Sequence, residues 1–455
     1  VDLTTRFSRN VVLKVPISSS AMDTVTEWRM AVALAREGGI GVIHRNLSVD
    51  EQVAQVDKVK RSANGVILDP VTLPPSANLG QARSIMREKS ISGLPIVEGK
   101  HVVGILTRRD CSFGGQDDVP ISSVMTTENL VTAPPGTSLD QAQELLHHGK
   151  VEKLIIVGPG RELMGLITMK DLEMLSAFPN SAFDERGRLV VGAAIGVRDY
   201  DRADGLVKAG VDVLVVDTAH GHTTNVQETV AELKRRFDVD VVAGNVATAA
   251  AALALVQAGV DGVKVGIGPG SICTTRIVAG IGVPQFTAVR DVAKALAASG
   301  VPVIADGGIR YSGDITKALG AGASSVMVGS LLAGLEESPG ETFISEGRTF
   351  KAVRGMGSIG AMERGSKERY RQGDVSDNKK LVPEGVEGRV PYRGTLSPFL
   401  YQLCGGVRAG LGYCGAANLA SLWERARFTR ITTAGVRESH PHDVTITRES
   451  SNYAG

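Results

Sequence analysis

The sequence predicts a closed (β/α)8 barrel with a smaller domain inserted after its second strand. Eight short apolar runs without polar alternation recur along the chain, several preceded by alanine-rich helical stretches that end in glycine. That is the pattern of parallel strands buried on both faces. Polar residues gather at the C-terminal ends of those runs, the end at which such barrels build their sites. The rhythm breaks once, over a segment that repeats itself.

In chain order, strands are expected at 15–20, 39–44, 189–194, 213–217, 241–245, 262–266, 301–306 and 324–329. Helical stretches at 205–210, 249–259, 288–300 and 315–322 feed their strands through a terminal glycine. Ser20, His44, Asp217, Asn245, Cys273, Asp306 and Ser330 close the strands or the turns after them. The barrel is therefore expected in two parts, 1–63 and 175–455, around an insertion at 64–174. Inside the insertion, Val71-Thr-Leu-Pro-Pro returns as Val131-Thr-Ala-Pro-Pro, and Gly104-Ile-Leu-Thr-Arg-Arg-Asp as Gly165-Leu-Ile-Thr-Met-Lys-Asp. A period of about sixty residues suits two copies of one small α/β unit. Beyond the eighth strand, 355–394 reads as a long glycine-bearing loop, the kind that carries function or none at all. A helical tail from Ser397 to Val436 follows.

At 455 residues the chain exceeds what one core usually fills, about 250–300 residues, so two domains are expected. Hydrophobic content of 43%, charged content of 22% and a net charge of +1 describe an ordinary globular protein. No basic stripe marks nucleic acid as the main ligand, and no apolar run of about 18 residues is long enough to cross a membrane. The four cysteines show no Cys-x-x-Cys spacing, which makes a reducing cytoplasm the expected compartment. The chain opens on Val1, and a start further upstream is the expectation.

The stretch 266–280, Gly-Ile-Gly-Pro-Gly-Ser-Ile-Cys-Thr-Thr-Arg-Ile-Val-Ala-Gly, places Cys273 on a bend after the sixth strand. A lone cysteine is more often a small buried hydrophobe, but glycines, hydroxyls and an arginine around it favour a nucleophile. Asp306-Gly307-Gly308 and Gly329-Ser330 close strands seven and eight, where such barrels bind phosphate. An aspartate there would repel a phosphate and accept instead from ribose hydroxyls, which points to a nucleoside monophosphate.

The repeated insertion resembles a tandem pair of CBS modules. The resemblance implies a regulatory site for ATP or GTP in which Thr107 with Asp110, and Thr168 with Asp171, would meet ribose or phosphate. Thr-x-x-Asp is also a helix-capping signature, and both readings stand at this point. The cysteine loop, Asp306-Gly-Gly-Ile-Arg, Arg354-Gly-Met-Gly-Ser and Glu384-Gly-Val-Glu-Gly-Arg-Val-Pro-Tyr together resemble the IMP dehydrogenase / GMP reductase family over practically the whole chain.

This resemblance implies oxidation of IMP to XMP with NAD, Cys273 forming a thioimidate that water then cleaves. Arg369 and Tyr370, on the flap 355–394, would activate the water, with Thr275 orienting it and Glu384 participating. Ser20, Met22, Ser271, Asp306, Gly307, Gly308, Gly329, Ser330, Gly357 and Glu384 would hold IMP. Asp217, Thr218, Asn245, Gly266, Ile267 and Gly268 would meet the cofactor. Potassium would sit on the carbonyls of Gly268, Gly270 and Cys273, completed by Glu438, Ser439 and His440 of a second subunit. That shared site implies a homotetramer, or an octamer built from two. One departure is Val353, where the family commonly has a tyrosine that reaches the phosphate. The alternatives are a GMP reductase using NADPH, or a nucleotide-sensing CBS protein with an inert barrel.

Overall fold

The computed structural model describes residues 1–62, 67, 70–89, 91–448 and 452–453. The eight apolar runs form β1 (Ile17–Ser19), β2 (Ile40–Ile43), β3 (Val191–Ile195), β4 (Val213–Asp217), β5 (Asp240–Val246), β6 (Gly262–Val265), β7 (Val303–Asp306) and β8 (Ser325–Val328). Each pairs in parallel with its sequence neighbour, and β8 closes on β1 through Val326 opposite Ile17. All but the last residue of β7 are buried, which is why no polar alternation marks these strands.

The outer layer comprises α1 (Trp28–Arg36), α2 (Val49–Arg61), α3 (Tyr200–Lys208), α4 (Thr224–Arg236), α5 (Ala249–Gln257), α6 (Gln285–Leu296) and α7 (Ser312–Gly320). Side-chain caps start several of them. Ser48 and Glu51 form a reciprocal box at α2, and Thr223 and Thr248 cap α4 and α5. A four-residue helix, α8 (Ser330–Ala333), follows β8.

The stretch after β8 differs from the expected loop. β9 (Thr342–Ser345), β10 (Arg348–Arg354) and β11 (Glu387–Pro391) form an antiparallel sheet with Arg354 opposite Glu387. The end of 355–394 is thus a strand, hidden in the sequence because its largely exposed face carries no apolar run. The helical tail forms α9 (Leu396–Tyr413) and α10 (Leu419–Arg425), α9 packing on α7. Gly406 and Gly410 face Ser312 and Thr316 so closely that a Cβ would collide with either, so the helices touch backbone to side chain.

The barrel unit spans Val1–Ser62, Asn180–Ala182 and Leu189–Gly455, and the second unit Ala63–Pro179 with Phe183–Arg188. The second unit outruns residue 174 because the helix Met169–Ala177 continues through it. Each of its halves has a capped helix, Leu79–Glu88 behind Asn78 and Leu139–Gly149 behind Ser138. An antiparallel pair of strands follows, Gly93–Glu98 with His101–Thr107 and Lys153–Val157 with Leu163–Thr168. A second helix closes each half. The halves exchange their leading segments, since Ile67 bridges Leu166 of the second half and Thr126 bridges Ile105 of the first. Each half has its own core, and Val102, Ile155 and Leu166 form a third cluster that draws on both.

Candidate active site

From β6 the chain passes Gly266, at φ +152°, where a Cβ would run into the Asp306 carbonyl. Only glycine lets the two strand ends approach so closely. The loop ends in a short helix, Thr275–Val278. Arg276 ties it at both sides, Nε donating to the Ile267 carbonyl at 3.2 Å and Nη2 to that of Val283 at 2.7 Å. Its centre is laced to the flap ends: Thr274 N donates to Glu384 O at 2.9 Å and Val386 N to Ile272 O at 3.0 Å. Glu384 N in turn donates to Gly357 O at 3.0 Å. On this lattice the half-buried Cys273 donates through Sγ to Thr275 Oγ1 at 3.2 Å.

Arg369 and Tyr370 end the 3-10 turn Ser366–Tyr370. The Arg369 guanidinium pairs with Asp217 at the end of β4, and its carbonyl accepts from Ala219 N at 3.3 Å. The preceding Glu368 is gripped by Arg45 at 3.1 Å. Tyr370 lies beside Arg369 and over Gly357, where a Cβ would stand 2.8 Å from its Cζ. Burial lowers the Arg369 pKa below the ordinary guanidinium value, the Tyr370 contact opposing and the Arg45 charge adding to it. Burial also raises the Tyr370 pKa, Arg369 opposing while the nearby Cys273 and Glu384 reinforce it. All five residues expected to carry the chemistry, Cys273, Thr275, Arg369, Tyr370 and Glu384, therefore lie in one connected group.

Beneath them lies a residue the sequence reading passed over. Lys264, in the middle of β6 and 2% exposed, points into the barrel. Its Nζ lies 2.9 Å from Asp217 Oδ1 and 2.6 Å from Asp306 Oδ2, and it also donates to Asn245. Asn245 Nδ2 donates to Asp306 Oδ2 at 2.9 Å and to Gly266 O at 2.7 Å. Asp217 and Asn245 are thus committed to an internal network, and the Thr218 hydroxyl donates to Gly244 O at 2.7 Å. The signal available in the sequence was a lysine in the middle of a four-residue buried strand, costly unless paired.

Around the cysteine loop, Gly307 and Gly308 take φ of +82° and +79°, and a Cβ on Gly307 would lie 3.1 Å from Pro269 Cγ. Across β8, a Cβ on Gly329 would meet Met22 Sδ at 3.0 Å and Ser20 Oγ at 3.4 Å, with Ser330 opening α8. Ser271 is exposed in the loop. Val353 is buried in β10, while the next residue, Arg354, holds Asp23 at 3.0 and 3.1 Å. His44 is buried against Glu27 and Asn46 and presents nothing to this group.

Other expected residues lie elsewhere. Glu438 ends an exposed helix, Thr433–Glu438, and Ser439 and His440 follow it, His440 Nδ1 lying 2.8 Å from the Tyr453 hydroxyl. The Gly270 carbonyl accepts from Cys273 N at 3.1 Å, and a backbone oxygen is the hard donor type that a hard cation takes. Among the described residues no group of three His, Cys, Asp or Glu is placed to hold a metal ion. In the insertion, Thr107 and Thr168 accept from Asp110 N and Asp171 N at 3.4 and 3.2 Å, and each carboxylate accepts in return from its threonine. Both pairs are helix-capping boxes.

Residues 1–442 match the model of the IMP dehydrogenase / GMP reductase domain. The chain is 57% identical over its whole length to inosine-5'-monophosphate dehydrogenase of Halalkalibacterium halodurans, covering 94% of that protein. It is 54% identical to that of Bacillus subtilis, covering 93% of that one and again all of this chain. Among solved structures it is similar to a cysteine-to-alanine variant of GMP reductase from Trypanosoma brucei in complex with guanosine 5'-monophosphate. There the TM-score is 0.84 at 44% identity, over 98% of this chain and 94% of that one.

Proposed function

Since the chain belongs to the IMP dehydrogenase / GMP reductase family, we propose that it is an NAD-dependent IMP dehydrogenase, converting IMP to XMP on the route to guanine nucleotides. The observation that carries this is the half-buried Cys273 sulfur on Thr275, with Arg369 and Tyr370 docked next to the same loop. The relatives at 53–57% identity bear the dehydrogenase name.

Cys273 Sγ, as thiolate, adds to carbon 2 of the purine, and that carbon gives up its hydride. The nicotinamide, when bound, supplies the acceptor. Cys273 remains joined to the base as a thioimidate. A water held by Thr275, Arg369 and Tyr370 then adds to carbon 2, its proton passing to the Arg369–Tyr370 pair, and the C–S bond breaks to return the thiolate. Arginine is a poor base in water because it holds its proton so tightly, and burial lowers the Arg369 pKa below the ordinary guanidinium value. Asp306 accepts from the ribose hydroxyls. Ser20, Ser271, Gly307, Gly308, Gly329 and Ser330 receive the phosphate and its flank, and Met22, Gly357 and Glu384 meet the base. Gly266, Ile267, Gly268, Thr218, Asn245 and Asp217 face the cofactor. Arg369 holds Asp217 here, so flap and cofactor take turns on that carboxylate.

In the same reading, potassium would be held by the carbonyls of Gly268, Gly270 and Cys273 with Glu438 to His440 of a second copy, in a cytoplasmic homotetramer. The insertion is a tandem CBS pair taking ATP or GTP. Purified protein given IMP and NAD should raise absorbance at the NADH wavelength. Consumption of NADPH with GMP, and no response to IMP, would instead establish the second reading, a GMP reductase, the activity named for the structural relative bound to guanosine 5'-monophosphate.

A further inference from the structure

Asp217 stands between two cations that approach different oxygens, Lys264 at Oδ1 and Arg369 at Oδ2. Lys264 is also the shared partner of Asp306. The buried set is therefore two carboxylates and two cations, Lys264 from inside the barrel and Arg369 from the flap. In so dry a setting each charge acts strongly on its neighbours.

We propose that Lys264 is a positioning residue for the hydrolytic half of the reaction, sharing the Asp217 carboxylate with Arg369 so that the guanidinium meets only part of that negative field. The inference rests on the dehydrogenase reading. With Lys264 present, Asp217 orients Arg369 without fixing its proton. Without it, Asp217 would turn its whole charge on Arg369, and the proton that Arg369 must lose to accept one from water would be held more tightly.

The other charged or titratable groups facing Arg369 are Arg45 from the loop after β2, with its partner Glu368, and Tyr370 beside it. Cys273 and Glu384 lie beyond Tyr370, and His220 sits near Arg371 on the loop after β4. None of these touches Lys264, so a change at Lys264 reaches Arg369 through Asp217.

The test separates the two chemical halves. Rapid mixing of the full chain with IMP and NAD reads hydride transfer as a burst of NADH and hydrolysis as the steady rate after it. In Lys264→Met, the ratio of burst rate to steady rate should rise by about tenfold, and the rising limb of the steady-state pH profile should move up by about one unit. Acid quenching followed by intact mass should find more Cys273 carrying the nucleotide than in the parent protein. Lys264→Arg should return ratio and limb toward the parent values. In an Asp217→Asn background, Lys264→Met should move the limb no further. A folded Lys264→Met protein with the limb and adduct level of the parent would overturn the inference, as would a displacement that persists without Asp217. If Lys264→Met does not fold, Asp217→Asn alone decides: the limb must move down, and an unmoved limb overturns the proposal. Absence of any NADH formation, in burst or steady state, in the parent protein would sink the dehydrogenase reading instead.

Discussion

The barrel rim and the inserted repeat use similar polar residues in opposite ways. In the insertion, Thr107 and Asp110 satisfy one another across three positions, as do Thr168 and Asp171. At the rim the partners are distant in the chain: Lys264 meets Asp306 across 42 positions, and Arg369 reaches Asp217 from the flap after β8. A local pair closes on itself and stabilises a helix end. A long-range network fixes groups at one point in space while leaving Cys273 half open, which is what chemistry on a bound molecule requires.

The sharpest way to break this contrast is Cys273→Ala, which should abolish NADH formation by more than about a thousandfold and remove the covalent adduct from the mass spectrum. A sensor with an inert barrel would keep its behaviour. Next, Arg369→Gln should cut the steady rate about a hundredfold while the NADH burst survives. Loss of the burst in proportion would make Arg369 a binding residue only.

The thiols sharpen the comparison. Burial raises the Cys111 thiol in the insertion above its usual pKa, so at neutral pH iodoacetamide should label Cys273 at least about tenfold faster than Cys111. Bound IMP should protect Cys273 alone. As pH rises past the ordinary thiol range, Cys111 stays protonated longer than an exposed cysteine and its labelling should lag accordingly. Equal labelling at neutral pH, read by peptide mapping, would contradict the assignment of a reactive rim and a sealed insertion.

The smallest effect is expected from Thr107→Ala or Thr168→Ala. Each removes a cap worth about 1 kcal/mol, lowering the melting temperature of the insertion by a few degrees while turnover without effector stays as it was. A changed response to ATP or GTP beyond that loss would show that these threonines also serve a ligand.

This split also explains what could be read in advance. The eight barrel strands were legible because burial on both faces leaves uninterrupted apolar runs such as Val213-Leu-Val-Val. The repeat was legible because Thr-x-x-Asp recurs with its local partner. Cys273 was legible as a nucleophile from the glycines, hydroxyls and arginine around it, but Arg369 and Tyr370 could be proposed only through resemblance, since nothing in a Gly-rich loop states that a flap about ninety residues later will dock beside it. Lys264 was missed because Val-Lys-Val looks like a strand with one outward residue, and its three partners lie on three other strands. β9 to β11 were missed because their mixed, mostly exposed residues leave no apolar run.

The exchanged segments of the insertion have a consequence for any attempt to divide it. Ile67 completes the sheet of the second half and Thr126 that of the first. A fragment holding one copy would present a vacant strand edge beside the uncovered Val102 or the Ile155–Leu166 pair, and two such fragments would be expected to find each other. The duplicated module behaves as a two-piece clasp, each piece carrying the pin for the other.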